Sequence, residues 1–242
     1  MITRLTGAFF MSSISSSFFI LSVGGSIVVP KEGIDVSFLK GFKRMIERYT
    51  KEGHRFVIVV GGGGTSRYYQ QAAKQVGTVA SDDLDWLGIH STRLNAHLLR
   101  TVFRDIAHPV VVKDPSRPLQ NWTAPVLIAA GWKPGWSTDY VAMRLAKRLH
   151  AKTVVNLSNI DRVYSKDPRK HSDAVPLDSM SWKAFRELVG NTWNPGMNTP
   201  FDPVASRLGE QIKAKVIIAN GTNLKNTDRI LSGKKFEGTV IG

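Results

Sequence analysis

The stretch Phe56-Val57-Ile58-Val59-Val60-Gly61-Gly62-Gly63-Gly64-Thr65-Ser66-Arg67 constrains the chain most, because it joins a buried-strand signal to a turn almost without side chains. Each glycine costs roughly 0.5 to 1 kcal/mol against alanine through lost chain entropy, so four in a row indicate a use for bare backbone. At a strand-to-helix junction that use is anion binding. The first amides of a helix have no internal partner, and the helix dipole adds positive potential there. Arg67 falls about one turn into the following helix, where a guanidinium can grip phosphate oxygens in bidentate fashion. The same glycines also suit a tight turn that lets helix and strand pack closely. Neither the P-loop nor the dinucleotide fingerprint is present, since no Gly-Lys-Ser/Thr follows and Ser66 stands where the third glycine of the latter belongs.

The 242 residues suffice for one large α/β domain. Cysteine is absent, which removes disulfides, thiolate metal sites and cysteine nucleophiles. The balance of 33 Lys+Arg against 19 Asp+Glu gives +14, a surface that attracts polyanions: nucleic acid, a membrane surface or nucleotide substrates. No apolar run reaches the 18 or so residues of a membrane span, and no aromatic-basic motif supports specific nucleic-acid recognition. Met1 to Ser17 carries Arg4 as its only charge and a run of serines. It is read as a leader, either disordered or an over-called start with Met11 as the alternative initiator.

Phe18 to Val23 reads as a buried strand running into Gly24-Gly25-Ser26, a smaller copy of the opening pattern. Helical spacing of Phe38, Leu39, Phe42, Met45, Ile46 and Tyr49 predicts a helix over 35–52, with Ser37 as its cap. Beyond the tetraglycine turn a helix runs to Gly77. Asp82, Asp83 and Asp85 are expected to precede a long helix over 86–106, with Asp82 and Asp83 as solvated acids. Strands are expected at 110–112, 125–130, 153–157, 216–219 and 239–241, and helices from Ser137-Thr138-Asp139, at 182–189, after Pro203 to about Lys213, and up to Leu231. Residues 191–203 read as irregular. Strands alternating with helices at crossover spacing predict a mostly parallel sheet with helices on both faces. Ligands bind such sheets beyond the carboxyl ends of the strands, where the glycines and polar clusters of this chain lie.

The ordered set of Gly24-Gly25-Ser26, Gly61 to Arg67, Asp85 with Gly88 and Thr92-Arg93-x-Asn95-Ala96, Gly135 to Asp139, Asn159-Ile160-Asp161-x-Val163-Tyr164 with Asp167-Pro168, Asp202-Pro203-x-Ala205 and Gly238-Thr239-x-Ile241 resembles the amino acid kinase superfamily. Within it the resemblance is closest to uridylate kinases of the archaeal type, and it covers residues 18–242. It implies a three-layer α/β/α sandwich around a mostly parallel sheet, with an acceptor-binding lobe over about 18–150 and an ATP-binding lobe over about 151–242. The implied reaction is transfer of the γ-phosphoryl group of ATP to UMP. Such a transfer needs two anions brought in line and the charge on the moving group stabilised, with no protein nucleophile.

Carried over residue by residue, the resemblance places Gly24, Gly25 and Ser26 at the ATP phosphates, with Asn159, Asp161, Tyr164 and Asp167 along the donor nucleotide. Gly62, Gly63 and Gly64 approach the transferred group and the UMP phosphate, which Arg67 clamps and Thr138 holds. Asp85 falls where the acceptor ribose hydroxyls bind. Asp139 and Asp202 join Arg67 as catalytic candidates near the reacting phosphates. Magnesium is implied as the companion of ATP, without a dedicated protein metal site. A cytoplasmic homo-oligomer, built from dimers and extending to hexamers, completes what the family implies.

Two departures stand out. Ser22 occupies the position of a lysine that most superfamily members place two residues before the glycine pair, although archaeal-type uridylate kinases tend to lack it. Arg162 replaces the usual glycine of the Asn-x-Asp-Gly-Val-Tyr pattern, where it can touch donor phosphates or crowd the loop. Trp132, Trp136 and Trp193 add aromatic bulk on the acceptor side. The fold also admits another acceptor, a carboxylate, carbamate or different phosphate, and a non-catalytic nucleotide or oxyanion binder.

Overall fold

The computed structural model describes residues 18–119, 121–190, 192 and 199–242. Trp193 and most of the 191–203 segment lie outside them, as does the leader. In chain order the elements are β1 (Phe18–Val23), α1 (Gly25–Val28), α2 (Val36–Lys51), β2 (Arg55–Val60), α3 (Gly63–Val76), α4 (Ser81–Val102), β3 (Val126–Ala129), α5 (Thr138–Arg148), β4 (Thr153–Ser158), β5 (Val163–Tyr164), β6 (Pro176–Leu177), β7 (Ser179–Met180), α6 (Trp182–Val189), α7 (Pro203–Gln211), β8 (Lys215–Asn220), α8 (Leu224–Leu231) and β9 (Thr239–Ile241).

Seven strands form one sheet in the order β3-β2-β1-β4-β8-β9-β7, and β5 and β6 make a separate small hairpin. Every pairing in the large sheet is parallel except β8 with β9. Period-two alternation sorts the side chains. Phe19, Leu21, Val23, Phe56, Ile58 and Val60 face a core closed by α1, α2, α4 and α8, whereas Ile20, Val57, Val59, Leu127, Ala129 and Val154 face one closed by α5, α6 and α7. The result is the expected three-layer α/β/α sandwich. Continuous apolar strands such as Val57-Ile58-Val59-Val60 are what a sheet buried on both faces requires.

Several local expectations are corrected. Asp35, not Ser37, caps α2, because its carboxylate accepts from the Phe38 amide at 2.8 Å. The long helix starts at Ser81, so Asp82, Asp83 and Asp85 lie inside α4 instead of before it, with Asp82 and Asp83 placed favourably in the positive first turn. The helix ends at Val102, short of Ile106. Val110 to Val112 forms no strand: only an isolated bridge joins Val112 to Ala129, and Val110 is exposed. Pro203 opens α7 with Asp202 as its cap, so the irregular stretch ends one residue earlier than read.

Candidate active site

The two glycine turns meet at the carboxyl ends of β1 and β2, and backbone contact between them sets the geometry. A Cβ on Gly25 would stand 2.1 Å from the Gly63 nitrogen, and one on Gly63 would stand 2.2 Å from the Gly25 carbonyl oxygen. Gly63 also has φ +60, a conformation L side chains rarely adopt. The close-packing use of these glycines is therefore real. The Gly61 N–H donates to the Val23 carbonyl at 3.0 Å and the Gly64 N–H to the Val29 carbonyl at 2.7 Å. Among the turn's predicted anion donors this commits Gly64 internally. Gly62 and Gly63 lie at the N-terminus of α3, Gly62 as its cap residue and Gly63 as its first helical residue.

The turn is braced from α4. Asn95, 3% exposed, donates through Nδ2 to the Gly61 and Gly62 carbonyls at 2.9 and 3.0 Å. One turn earlier, Thr92 Oγ1 accepts from the Gly131 amide at 2.7 Å and donates to the Ile89 carbonyl at 2.6 Å. The motif was visible in the sequence, but these roles were missed. The available signal was polar Thr92 and Asn95 on the apolar face formed by Ile89, Ala96 and Leu99.

Asp85 also reaches across from α4, accepting the Gly135 N–H on Oδ2 at 2.8 Å. Burial pushes its carboxyl pKa up, against the lowering effect of that hydrogen bond. It ties the loop at Gly135 to α4 instead of capping the helix. In that loop the rings of Trp132 and Trp136 lie 5.9 Å apart, and Trp136 packs on Tyr140 at 4.1 Å. Arg67 is exposed on α3 and pairs with no described residue, which leaves its guanidinium available to an anion.

At the first turn of α5 two carboxylates converge. Ser137 caps the helix, its Oγ accepting from the Tyr140 amide at 3.1 Å while its hydroxyl donates to Asp202 Oδ2. Thr138 is the first helical residue and Asp139 the second. Asp139 Oδ1 accepts from Ser22 Oγ at 2.9 Å and from Asn156 Nδ2 at 3.1 Å, and Oδ2 accepts the Asp202 N–H at 3.3 Å. Asp202 caps α7 through Oδ1, which accepts from the Val204 and Ala205 amides at 2.5 and 3.2 Å. The Asp139 carboxyl is enclosed although the residue retains some exposed surface, and burial together with the charge of Asp202 pushes its pKa up to about 7. Asp202 is raised as well, by burial, despite its hydrogen bonds from Ser137 and the helix amides.

Beyond β4, Asp161 Oδ1 accepts from Asn220 Nδ2 at 2.9 Å, and the Val163 amide donates to Thr239 Oγ1 at 2.9 Å. These bonds fasten the Asn159 to Tyr164 segment to the ends of β8 and β9. Arg162 turns to Asp178 and Glu237, two acidic groups of the chain itself. Asp167 stands apart from the cluster. Its half-buried carboxylate is engaged by Arg169, and the hydrogen bonds from that residue lower its pKa.

A cavity of about 500 Å³, lined in part by Phe19, Arg48, Tyr49, His54, Asp228 and Lys234, opens at the opposite, amino end of the strands, and none of the expected site residues lines it. The chemistry gathers instead at the carboxyl ends of β1, β2 and β4.

Fold and site together define a class: an α/β/α sandwich with two glycine turns in backbone contact and a desolvated carboxylate pair towards the carboxyl ends of its parallel strands. Residues 17–220 match the model of the amino acid kinase family. The chain is 35% identical over 227 residues to a uridylate kinase of Methanocaldococcus jannaschii, covering 90% of this chain and 99% of that protein. It is 30% identical over 224 residues to one of Hyperthermus butylicus, covering 92% and 97%. The crystal structure of a uridylate kinase from Archaeoglobus fulgidus superposes with a TM-score of 0.78 at 30% identity, over 93% of this chain and 99% of that one. A UMP kinase structure from Bacillus anthracis shares the fold at TM-score 0.75 and 18% identity. The chain belongs to the amino acid kinase family.

Proposed function

We propose that the protein is a UMP kinase, transferring the γ-phosphoryl group of ATP to UMP to give UDP and ADP. The observation that carries this reading is its 30–35% identity to archaeal uridylate kinases along nearly their whole length. The site chemistry agrees with it. Two phosphate-bearing substrates need backbone donors where they meet, and the paired glycine turns supply them without intervening side chains. Arg67 grips the UMP phosphate with Thr138 opposite, and Asp85 faces the acceptor ribose. Gly24, Gly25 and Ser26 approach the ATP phosphates, while Asn159, Asp161 and Tyr164 line the donor nucleoside. Asp139 and Asp202 stand at the reacting centre, where they organise the phosphates' surroundings.

Among the described residues no group of three or more His, Asp or Glu side chains could hold a metal ion. Magnesium enters this reading as part of the substrate, on the triphosphate, where it balances anionic charge. The halves 18–150 and 151–242 serve acceptor and donor respectively. No helix among the described residues is long and apolar enough to cross a membrane, and a cytoplasmic place belongs with this reading.

The test is an ADP-release assay in magnesium across UMP, CMP, acetylglutamate, aspartate and isopentenyl phosphate. Turnover with UMP far above the other acceptors is expected. Turnover with another acceptor and none with UMP would refute the assignment.

A further inference from the structure

We propose that Ser22 and Asn156 are positioning residues, a pair of neutral donors on adjacent strands that hold the Asp139 carboxylate by one oxygen in the phosphoryl-transfer site. This rests on the kinase reading above. Ser22 and Asn156 are register partners, β1 to β4, so their side chains emerge side by side on the same face of the sheet. Both are nearly inaccessible, at 3% and 5% exposure. Each interrupts an otherwise apolar strand, Ile20-Leu21-Ser22-Val23 and Val154-Val155-Asn156-Leu157. Burying a hydroxyl and an amide beside each other is unfavourable unless both find partners.

They find the same partner. Ser22 Oγ and Asn156 Nδ2 both donate to Asp139 Oδ1, while among the described residues Oδ2 meets only the longer contact from the Asp202 amide. Oδ1 is thus the anchored oxygen, and Oδ2 is the one free to act on the reacting phosphates. Two short donors from a rigid sheet restrict the carboxylate's rotation as a charged partner would, yet they bring no positive charge into the centre. That distinguishes this arrangement from one with a lysine at position 22: orientation is supplied by the sheet, and positive charge is left to Arg67 and the substrate's own cation.

Because both side chains are buried and turned to Asp139, their loss should appear in turnover and not in nucleotide binding. The experiment measures kcat, both KM values and Tm for wild type, Ser22→Ala, Asn156→Leu and the double variant. Ser22→Ala removes one oxygen and should fold as wild type, so it keeps the test decisive if the leucine variant does not. The expected result is a kcat lowered by roughly tenfold for Ser22→Ala, the fold-change one hydrogen bond to a charged group is worth, and further in the double variant. KM for UMP and ATP should stay within about twofold. A kcat unchanged in Ser22→Ala, or losses confined to KM, would overturn the positioning role. The wild-type control separates the two claims. UMP turnover with insensitive variants leaves the kinase reading standing and removes the clamp. Turnover on a different acceptor moves the same comparison to that acceptor, and a wild type inactive on every acceptor refutes both.

Discussion

Asp139 carries the sharpest consequences of any single residue. Its ordinary value is 3.8, and burial with the neighbouring Asp202 charge raises it to about 7 in the folded protein. Between those two values the unfolded chain has released the proton while the native protein still holds it. Native Asp139 therefore binds more protons than unfolded Asp139, and stability falls as pH rises through the window. The slope is on the order of 1.4 kcal/mol per pH unit, flattening above about pH 7. Asp139→Asn removes this titration while retaining an oxygen that can accept from Ser22 and Asn156. In chemical denaturation the variant should match wild type near pH 4, exceed it near pH 8, and be catalytically impaired at both. Equal stability differences at the two pH values would show that the site is not desolvated as described. Arg67 is the opposite case, an exposed cation with no described partner. Arg67→Ala should leave Tm unchanged, lower turnover, and weaken UMP binding by about 1.5 kcal/mol or more, as calorimetry would show. Unaltered kinetics would remove it from the site. The sequence showed which residue types were present but not these meetings. Asp139 and Asp202 are 63 positions apart, and Ser22 and Asn156 look like ordinary interruptions of strands until the register places them under one carboxylate.

Elements were most legible where periodicity and glycine spoke together. β1, β2, α2 and α3 are found nearly where the apolar spacing and turn residues put them. Expectations failed where local signal and tertiary pairing diverge. Val110 to Val112 has strand composition, yet only Val112 finds a bridge, and the start of α4 has Ala80 at its cap position, with no side-chain bond to mark it. The glycine turns carried two readings, close packing and anion binding, and the contact between their backbones bears out the packing. Gly25 and Gly63 are the packing pair. Gly25→Ala would place a methyl against backbone that is not free to move, so the two turns must separate, and a large fall in both Tm and activity is expected. Gly77 provides the contrast. It ends α3 with extended backbone, and an added Cβ meets nothing within 4 Å, so Gly77→Ala should fold and turn over like wild type. Comparable losses at both positions would contradict the account of the turn as a contact between two backbones.

At the scale of the whole molecule, the parallel sheet with ligand groups at its carboxyl end followed from the alternation of strands and helices, whereas the antiparallel entry of β9 and the separate hairpin of β5 and β6 depend on pairs too short to leave a periodic signal. Composition alone could not say what the surface of α3 does. This 14-residue helix has no buried residue; Tyr68, Tyr69 and Val76 are 76%, 56% and 91% exposed, and Leu94 on the neighbouring α4 is 62% exposed. Helices in water draw most of their stability from packing an apolar face, so a helix this bare is better supported if a second copy covers it. A homo-oligomer built from dimers meets that need, although two chains of +14 repel each other. The two effects separate by their salt dependence. Screening shortens the reach of the repulsion to roughly 10 Å at 0.1 M salt and leaves apolar contacts in place. Sedimentation at low and moderate salt should therefore show association that strengthens as salt is added, and Tyr68→Glu with Tyr69→Glu should shift the mass towards the monomer without lowering Tm below that of the dissociated wild type. A wild type that stays monomeric across the salt range would mean that α3 is stable on its own contacts with α4, and that its tyrosines serve the solvent face.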